Sequence, residues 1–288
     1  MTVYDTKLPW DQRQRFMLLE ARLIWTGKIQ LGDLRDAFDI GTRKAEKDLQ
    51  LYRELCPRNL VLDDETGVFY PDDRFEPIFL RGTAQEFLGV LRNHDLAQDL
   101  PLAMAASDHV PAETLELPER EFDVRVLQRM STAIREGRWL TIEYQSMNRP
   151  DPRKLRIAPH ALAYVGRWHA RAYSAEHQSF RDFLLSRILG LPELGEACRH
   201  SPDADWDWRN QVTVRIGPHP GLTLPQRRVV EHDFGMHGGL LEKRVRLALA
   251  PYLLKLLGVG RGDTERDPAE QQIVLLNQAE LDAFNRLS

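Results

Sequence analysis

Apolar residues recur at helical spacing through the first quarter of the chain and alternate at strand spacing through its centre. In residues 10–26, Phe16, Leu19 and Leu23 fall three and four apart among polar neighbours, and Gly27 follows as a stop, which predicts a helix. Leu31, Leu34 and Phe38 repeat the pattern over a short second helix that Asp39-Ile40-Gly41 ends. Thr42 opens a third helix with an inward stripe of Ala45, Leu49 and Tyr52, while its opposite face presents Arg43, Lys44 and Lys47. Leu60–Asp63 and Val68–Tyr70 flank Asp64-Glu65-Thr66-Gly67 and read as a hairpin in which glycine supplies a positive φ. Three helices and a hairpin, with a short second helix and a basic third, form a winged helix-turn-helix pattern. In that pattern the third helix enters the major groove, so Thr42, Arg43, Lys44 and Lys47 are the expected DNA contacts. The other reading is a small bundle for protein contact whose basic face is only solvated.

Residues 71–120 read as a connector, broken by Pro71, Pro77, Pro101, Pro111 and Pro118, with one or two helices around Ala84–Asn93 and a domain boundary near Pro118. Phe122–Gly137 is a further helix with Val126, Met130 and Ile134 on one face. The period then falls to two. Leu140–Tyr144, Leu155–Val165, Arg167–Ser174 and Phe180–Leu189 predict strands of a small antiparallel barrel or strongly bent sheet. Beyond Pro202, strands are expected at Gln211–Ile216, Leu240–Leu249 and Gln272–Leu276, and helices at Leu224–Asp233, Pro251–Leu257 and Gln278–Leu287. The expected fold class is therefore α+β. A winged helix spans 1–75, a helical connector 76–120, a central β-barrel domain with its leading helix 121–200, and a small α/β extension, used for dimerisation, 201–288.

Composition adds four constraints. With 42% apolar residues in 288, each domain can bury a core. The first ten residues lack the apolar run of a signal peptide and no stretch reaches membrane-span length, so a cytoplasmic protein is expected. Cys56 and Cys198 stand far apart with no further ligand at zinc spacing. The net charge of −4 would oppose nucleic-acid binding if it were spread evenly. It is not: residues 59–119 are acidic, whereas Arg138 to Arg187 holds an excess of Arg and Lys.

That basic region carries the candidate chemistry. Alternation along a strand puts Trp168, Ala170 and Ala172 on one face and His169, Arg171 and Tyr173 on the other. The same rule groups Arg181, Phe183, Leu185 and Arg187 against Asp182, Leu184, Ser186 and Ile188. Guanidinium forks pair with phosphate, and aromatic rings stack on bases, so these neighbouring strands suit a nucleotide or single-stranded nucleic acid. Ser146, after the first strand, adds a hydroxyl. The expected ligand residues are thus Ser146, His169, Arg171, Tyr173, Arg181, Phe183 and Arg187. The other reading is that these arginines merely solvate the outside of a barrel.

Tyr144-Gln-Ser146, the Arg153–Pro159 strand ending in Ala-Pro-His160, Gly166-Arg-Trp168-His169-Ala170, and Phe180-Arg181-Asp-Phe183 through Ser186-Arg187-Ile188 together resemble the WYL domain. That resemblance implies an Sm-like barrel behind a winged helix and before a C-terminal extension, as in bacterial transcriptional regulators. The name-giving Trp-Tyr-Leu reads Trp-His-Ala here, so His169 stands where the family has a phenol. The Trp-His variant and the length are similar to the dimeric WYL repressors found beside phage-defence systems, of the BrxR and CapW kind. The implied partners are double-stranded operator DNA, a second copy of the chain, and a nucleotide or single-stranded effector.

Other signals carry less. Gly258-Val-Gly260-Arg-Gly262 follows a short helix rather than a strand and reads as a loop. His219, His232, Asp233 and His237 match no compact metal site, and no Gly-x-Ser-x-Gly elbow surrounds Ser146 to build a triad with His169 and Asp182. No enzyme, catalytic residue, metal or cofactor is expected. Two functions remain: a sequence-specific repressor of a phage-defence operon, relieved by its effector, or a nucleic-acid-binding accessory subunit of a defence or repair enzyme.

Overall fold

The computed structural model describes residues 8–92, 113, 115, 118, 120–149 and 151–285. The chain divides into two compact units, Met1–Leu117 and Pro118–Ser288.

In the first unit, α1 (Trp10–Thr26), α2 (Leu31–Phe38) and α3 (Thr42–Leu55) precede a hairpin of β1 (Leu60–Asp63) and β2 (Val68–Pro71), and α4 (Ala84–Arg92) follows. Helix ends fall where the backbone turns left-handed, at Gly27 (φ 73) and Asp39 (φ 47). The predicted stripes do become the core: Phe16, Leu19, Leu23, Leu34, Ala45, Leu49 and Tyr52 are all buried. Two buried polar links then fix α3 against α1. Arg15 Nε donates to Asp48 Oδ2 at 2.6 Å. Glu20 accepts from the Tyr52 hydroxyl at 3.0 Å and from the N–H groups of Ile78, Phe79 and Leu80 at 2.8–2.9 Å. Burial pushes the Glu20 pKa up, and these four donors hold it back. Ile29 exchanges both backbone hydrogen bonds with Phe69, which ties the wing to the α1–α2 connection. The expected helix around Ala84–Asn93 is described to Arg92, and Asn93 lies outside the described residues.

The second unit begins with α5 (Val124–Glu136), capped by the Asp123 side chain and closed by Gly137 at φ 60. Five antiparallel strands follow: β3 (Arg138–Tyr144), β4 (Arg153–Tyr164), β5 (Trp168–Ser174), β6 (Ser179–Leu184) and β7 (Ile188–Ala197). Their order is β6-β5-β4-β3-β7. The expected barrel does not close: β6 and β7 form the two outer edges and no ladder joins them among the described residues. The expected single strand Phe180–Leu189 is also corrected. After Leu184 the chain makes a 3₁₀ turn at Leu185–Arg187 and returns as β7 beside β3, on the far side of the sheet. Bulges in β7, where it pairs with β3, and at His160 in β4 bend the sheet. α5 covers one face, and Met130, Leu140, Ile142, Ile157, Ala170 and Ala172 form the core between them.

A short helix α6 (Trp206–Arg209) leads to β8 (Gln211–Pro218), α7 (Leu224–Asp233), β9 (Leu241–Arg246), α8 (Ala250–Leu257), β10 (Ile273–Leu275) and α9 (Gln278–Asn285). The sheet order is β10-β8-β9, with a separate core around Val214, Ile216, Val230, Leu247 and Ile273. The strand expected over Leu240–Leu249 ends at Arg246, because Leu247–Leu249 turn into a 3₁₀ segment that delivers the chain into α8. The end of the expected closing helix, Leu287, lies outside the described residues. No helix among the described residues is long and apolar enough to cross a membrane.

Candidate functional site

Two surfaces carry the candidate chemistry. On α3, Thr42, Arg43, Lys44 and Lys47 are all exposed at the N-terminal half, while Ala45, Asp48, Leu49 and Tyr52 are buried on the opposite face. The first turn holds no acidic residue. The wing tip is tightened by Asp63, whose carboxylate accepts from the Thr66 hydroxyl and from the N–H of Glu65 and Thr66, with Gly67 at φ 69.

The second surface is the face of the central sheet away from α5. Register decides what it contains. Arg171 pairs with Asp182 and Tyr173 with Phe180, so those four share a face, whereas Arg181 pairs with Ala172 and Phe183 with Ala170 on the core side. Arg181 and Phe183, expected as ligand residues beside His169, Arg171 and Tyr173, therefore lie on the opposite face of the sheet from them. Alternation fixes the faces within one strand, but the Ala175–Gln178 turn fixes which faces meet. Phe183 is buried in the core, 5.4 Å from the Tyr144 ring.

Nor is the His169 face open. The segment leading into α6 lies across it. Arg171 donates to both oxygens of Asp205, Nε to Oδ2 at 2.7 Å and Nη2 to Oδ1 at 2.9 Å, and Nη1 reaches Asp182 at 3.3 Å. The bulge in β4 turns His160 to the same carboxylate, with Nε2 2.9 Å from Asp205 Oδ2. Burial alone would raise the Asp205 pKa, but the hydrogen bonds from Arg171 and His160 outweigh it and hold the carboxyl down at about 2. Tyr173 stacks on His200 with ring centroids 3.8 Å apart. Arg171 and Tyr173 thus meet groups of their own chain.

The remaining expected ligand residues divide between two openings. Ser146, Arg181 and the Phe183 edge line a groove of about 700 Å³ together with Arg153 and Lys154. His169 and Arg187 line a cavity of about 210 Å³ with Arg167, Asp182 and Tyr252. Burial pushes the His169 imidazole below its usual value, so it is neutral at physiological pH. Asp205, His160, Arg167 and Tyr252 are not among the expected ligand residues, although His160 and Arg167 fall inside the WYL-like segments. The first and last lie beyond the central strands, and the bulge that aims His160 has no local signature. Among the described residues no group of histidines, cysteines and carboxylates is arranged to hold a metal ion.

Three family models match in the order of the domains. Residues 11–93 match the BrxR transcriptional regulator winged helix-turn-helix domain, 125–192 the WYL domain, and 211–281 the BrxR transcriptional regulator C-terminal dimerization domain. The chain is 35% identical to the DNA-binding transcriptional repressor CapW of Stenotrophomonas maltophilia, over 98% of this chain and 95% of the relative. The chain belongs to the CapW family. Repressors of the same description from Pseudomonas aeruginosa, 32% identical over 94% of this chain and 91% of theirs, and from Escherichia coli strain KTE188, 30% over 96% and 92%, match along the same span. CapW-family membership makes the chain a DNA-binding transcriptional repressor rather than an enzyme. Of the two functions left open by the residues, the family supports the repressor.

Proposed function

We propose that this CapW-family chain acts in the cytoplasm as a homodimer on a two-fold operator of a phage-defence operon. Thr42, Arg43, Lys44 and Lys47 of each copy reach bases and phosphates in the major groove. Residues 1–75 hold the DNA, 76–120 connect, 121–200 sense the effector, and 201–288 pair the copies. Repression is relieved by a nucleotide or a short single-stranded nucleic acid bound at the WYL domain. The observation that carries the sensing half is the concentration of Arg167, Arg187 and His169 around one cavity. Arg171 and Tyr173 shape the face behind that cavity, and the groove of Ser146, Arg181 and Phe183 adjoins it through Tyr144 and Asp182.

A ligand shifts operator affinity only by the difference between its affinities for the two arrangements of the dimer. The test is a titration of the complex between the protein and its own upstream intergenic DNA with 5′-phosphorylated tetrathymidine. Saturation should weaken operator binding by roughly 5- to 150-fold, the usual size of such coupling. An operator affinity that stays constant overturns the relief mechanism and leaves DNA binding untouched.

A further inference from the structure

Two cavities meet at the seam between the central sheet and α8. The first, of about 210 Å³, holds Arg167, Arg187, His169 and Asp182. The second, of about 360 Å³, holds Arg120, Arg167 and Lys255, and Tyr252 on α8 lines both. Around the two, Arg120, Arg167, Arg187 and Lys255 form no ion pair with a described residue, and among the described lining residues Asp182 is the one carboxylate. At the turn that carries Arg167, the rings of Tyr164 and Trp168 stand 5.2 Å apart and are 62% and 48% exposed. Tyr252 closes the seam: its hydroxyl donates to Asp182 Oδ2 at 3.0 Å, and its ring lies 5.2 Å from that of His169.

We propose that the effector occupies this seam as a nucleotide chain with at least two phosphates, and that on binding the Tyr252 hydroxyl moves its hydrogen bond from Asp182 to a phosphate oxygen. This rests on the effector reading above and adds the location and the contact that transmits it. Cations distributed over two joined cavities match successive phosphates of a chain better than one inorganic phosphate, and the exposed Tyr164–Trp168 pair offers a ring surface for a base. A phosphate entering beside Asp182 meets like charge, so a neutral donor between them is what makes the approach favourable. Burial first, and then the Asp182 charge, push the Tyr252 pKa up to about 12, which keeps the phenol a donor at physiological pH. Asp182 does not lose all pairing in the exchange, because Arg171 Nη1 stays 3.3 Å from its other oxygen. The exchange reaches the dimerization domain directly: Ala250, Leu253 and Leu254 of the same helix pack in that domain's core.

The experiment uses the full-length protein, its upstream DNA, and 5′-phosphorylated dithymidine carrying a 3′ fluorophore, read by anisotropy. Wild type should bind the probe, and saturating unlabelled probe should weaken operator binding roughly 5- to 150-fold. Arg187→Ala and Lys255→Ala should each weaken probe binding roughly tenfold, as for the loss of a charge-assisted hydrogen bond. Tyr252→Phe keeps the ring on His169 and removes only the hydroxyl. It should bind the probe within roughly tenfold of wild type, yet lose most of the weakening of operator binding. If Tyr252→Phe releases the operator like wild type, the hydrogen-bond exchange is wrong while the effector reading stands. If Arg187→Ala binds normally and an Arg153→Ala/Arg181→Ala variant does not, the effector lies in the other groove. A wild type that fails to bind the probe overturns both the seam and the effector reading.

Discussion

Arg171 and Asp205, 34 residues apart, face each other through two hydrogen bonds of 2.7 and 2.9 Å with both side chains almost completely buried. The pair joins the central sheet to the segment that enters the C-terminal domain. Removing one member of a buried pair leaves the other charge uncompensated. Arg171→Ala should therefore cost about 3–5 kcal/mol, while Arg171→Met/Asp205→Leu, which removes both charges, should cost less than either single change. Denaturant unfolding of the full-length variants checks this, and an unchanged midpoint in Arg171→Ala would contradict it.

The same pair sets a pH dependence. The folded pKa of Asp205, about 2, lies below its ordinary 3.8, so its contribution is present above 3.8 and is lost as pH falls through about 2. The stability difference between wild type and Asp205→Asn should be constant from neutral pH down to about 4 and shrink below it. Thermal melts across that range give the comparison; a difference that instead grows on acidification has the wrong sign.

Glu20 makes the corresponding prediction for the winged helix. One of its oxygens accepts from Tyr52 and Ile78, and the other from Phe79 and Leu80. Glu20→Gln keeps the shape, but its amide nitrogen must face at least one backbone N–H whichever way it turns, Ile78 on one side or Phe79 and Leu80 on the other. Each stranded donor costs about 1–3 kcal/mol. The variant should melt well below wild type, and equal melting temperatures would show that the network contributes nothing.

Assembly is the fourth expectation. Residues 211–281 match a dimerization domain, with a core separate from that of the central sheet. Sedimentation velocity should find a dimer for the full chain and a monomer for residues 1–210. A shortened chain that stays fully dimeric would move the interface elsewhere.

The sequence exposes what repeats locally. Glycines 27 and 137 end their helices with positive φ, and the Ala45, Leu49, Tyr52 stripe is buried as its spacing demands. What it does not reveal is set by distant chain. The Ala172–Arg181 register places Arg181 on the face opposite Arg171, although alternation holds within each strand. Leu185–Arg187 look like strand because Leu185 does reach the core, yet the chain turns there. Arg171 looks like a ligand group until Asp205 is seen beside it, and nothing near position 171 announces an aspartate 34 residues on. The basic face of α3 is legible because its pattern is local; the cavity around His169 is only half legible, because Tyr252 comes from the C-terminal α/β domain.

The most direct test of the account is a footprint of the protein on its upstream intergenic DNA, comparing wild type with Arg43→Ala/Lys44→Ala. Both residues are exposed, so the double variant should keep the wild-type melting temperature. Wild type should protect a two-fold symmetric site, and the variant should bind it more weakly by about 1–3 kcal/mol for each side chain that reads a base. A wild type that binds without a preferred sequence, or a double variant that protects the site at the wild-type concentration, contradicts the assignment of α3 as the element that reads the operator.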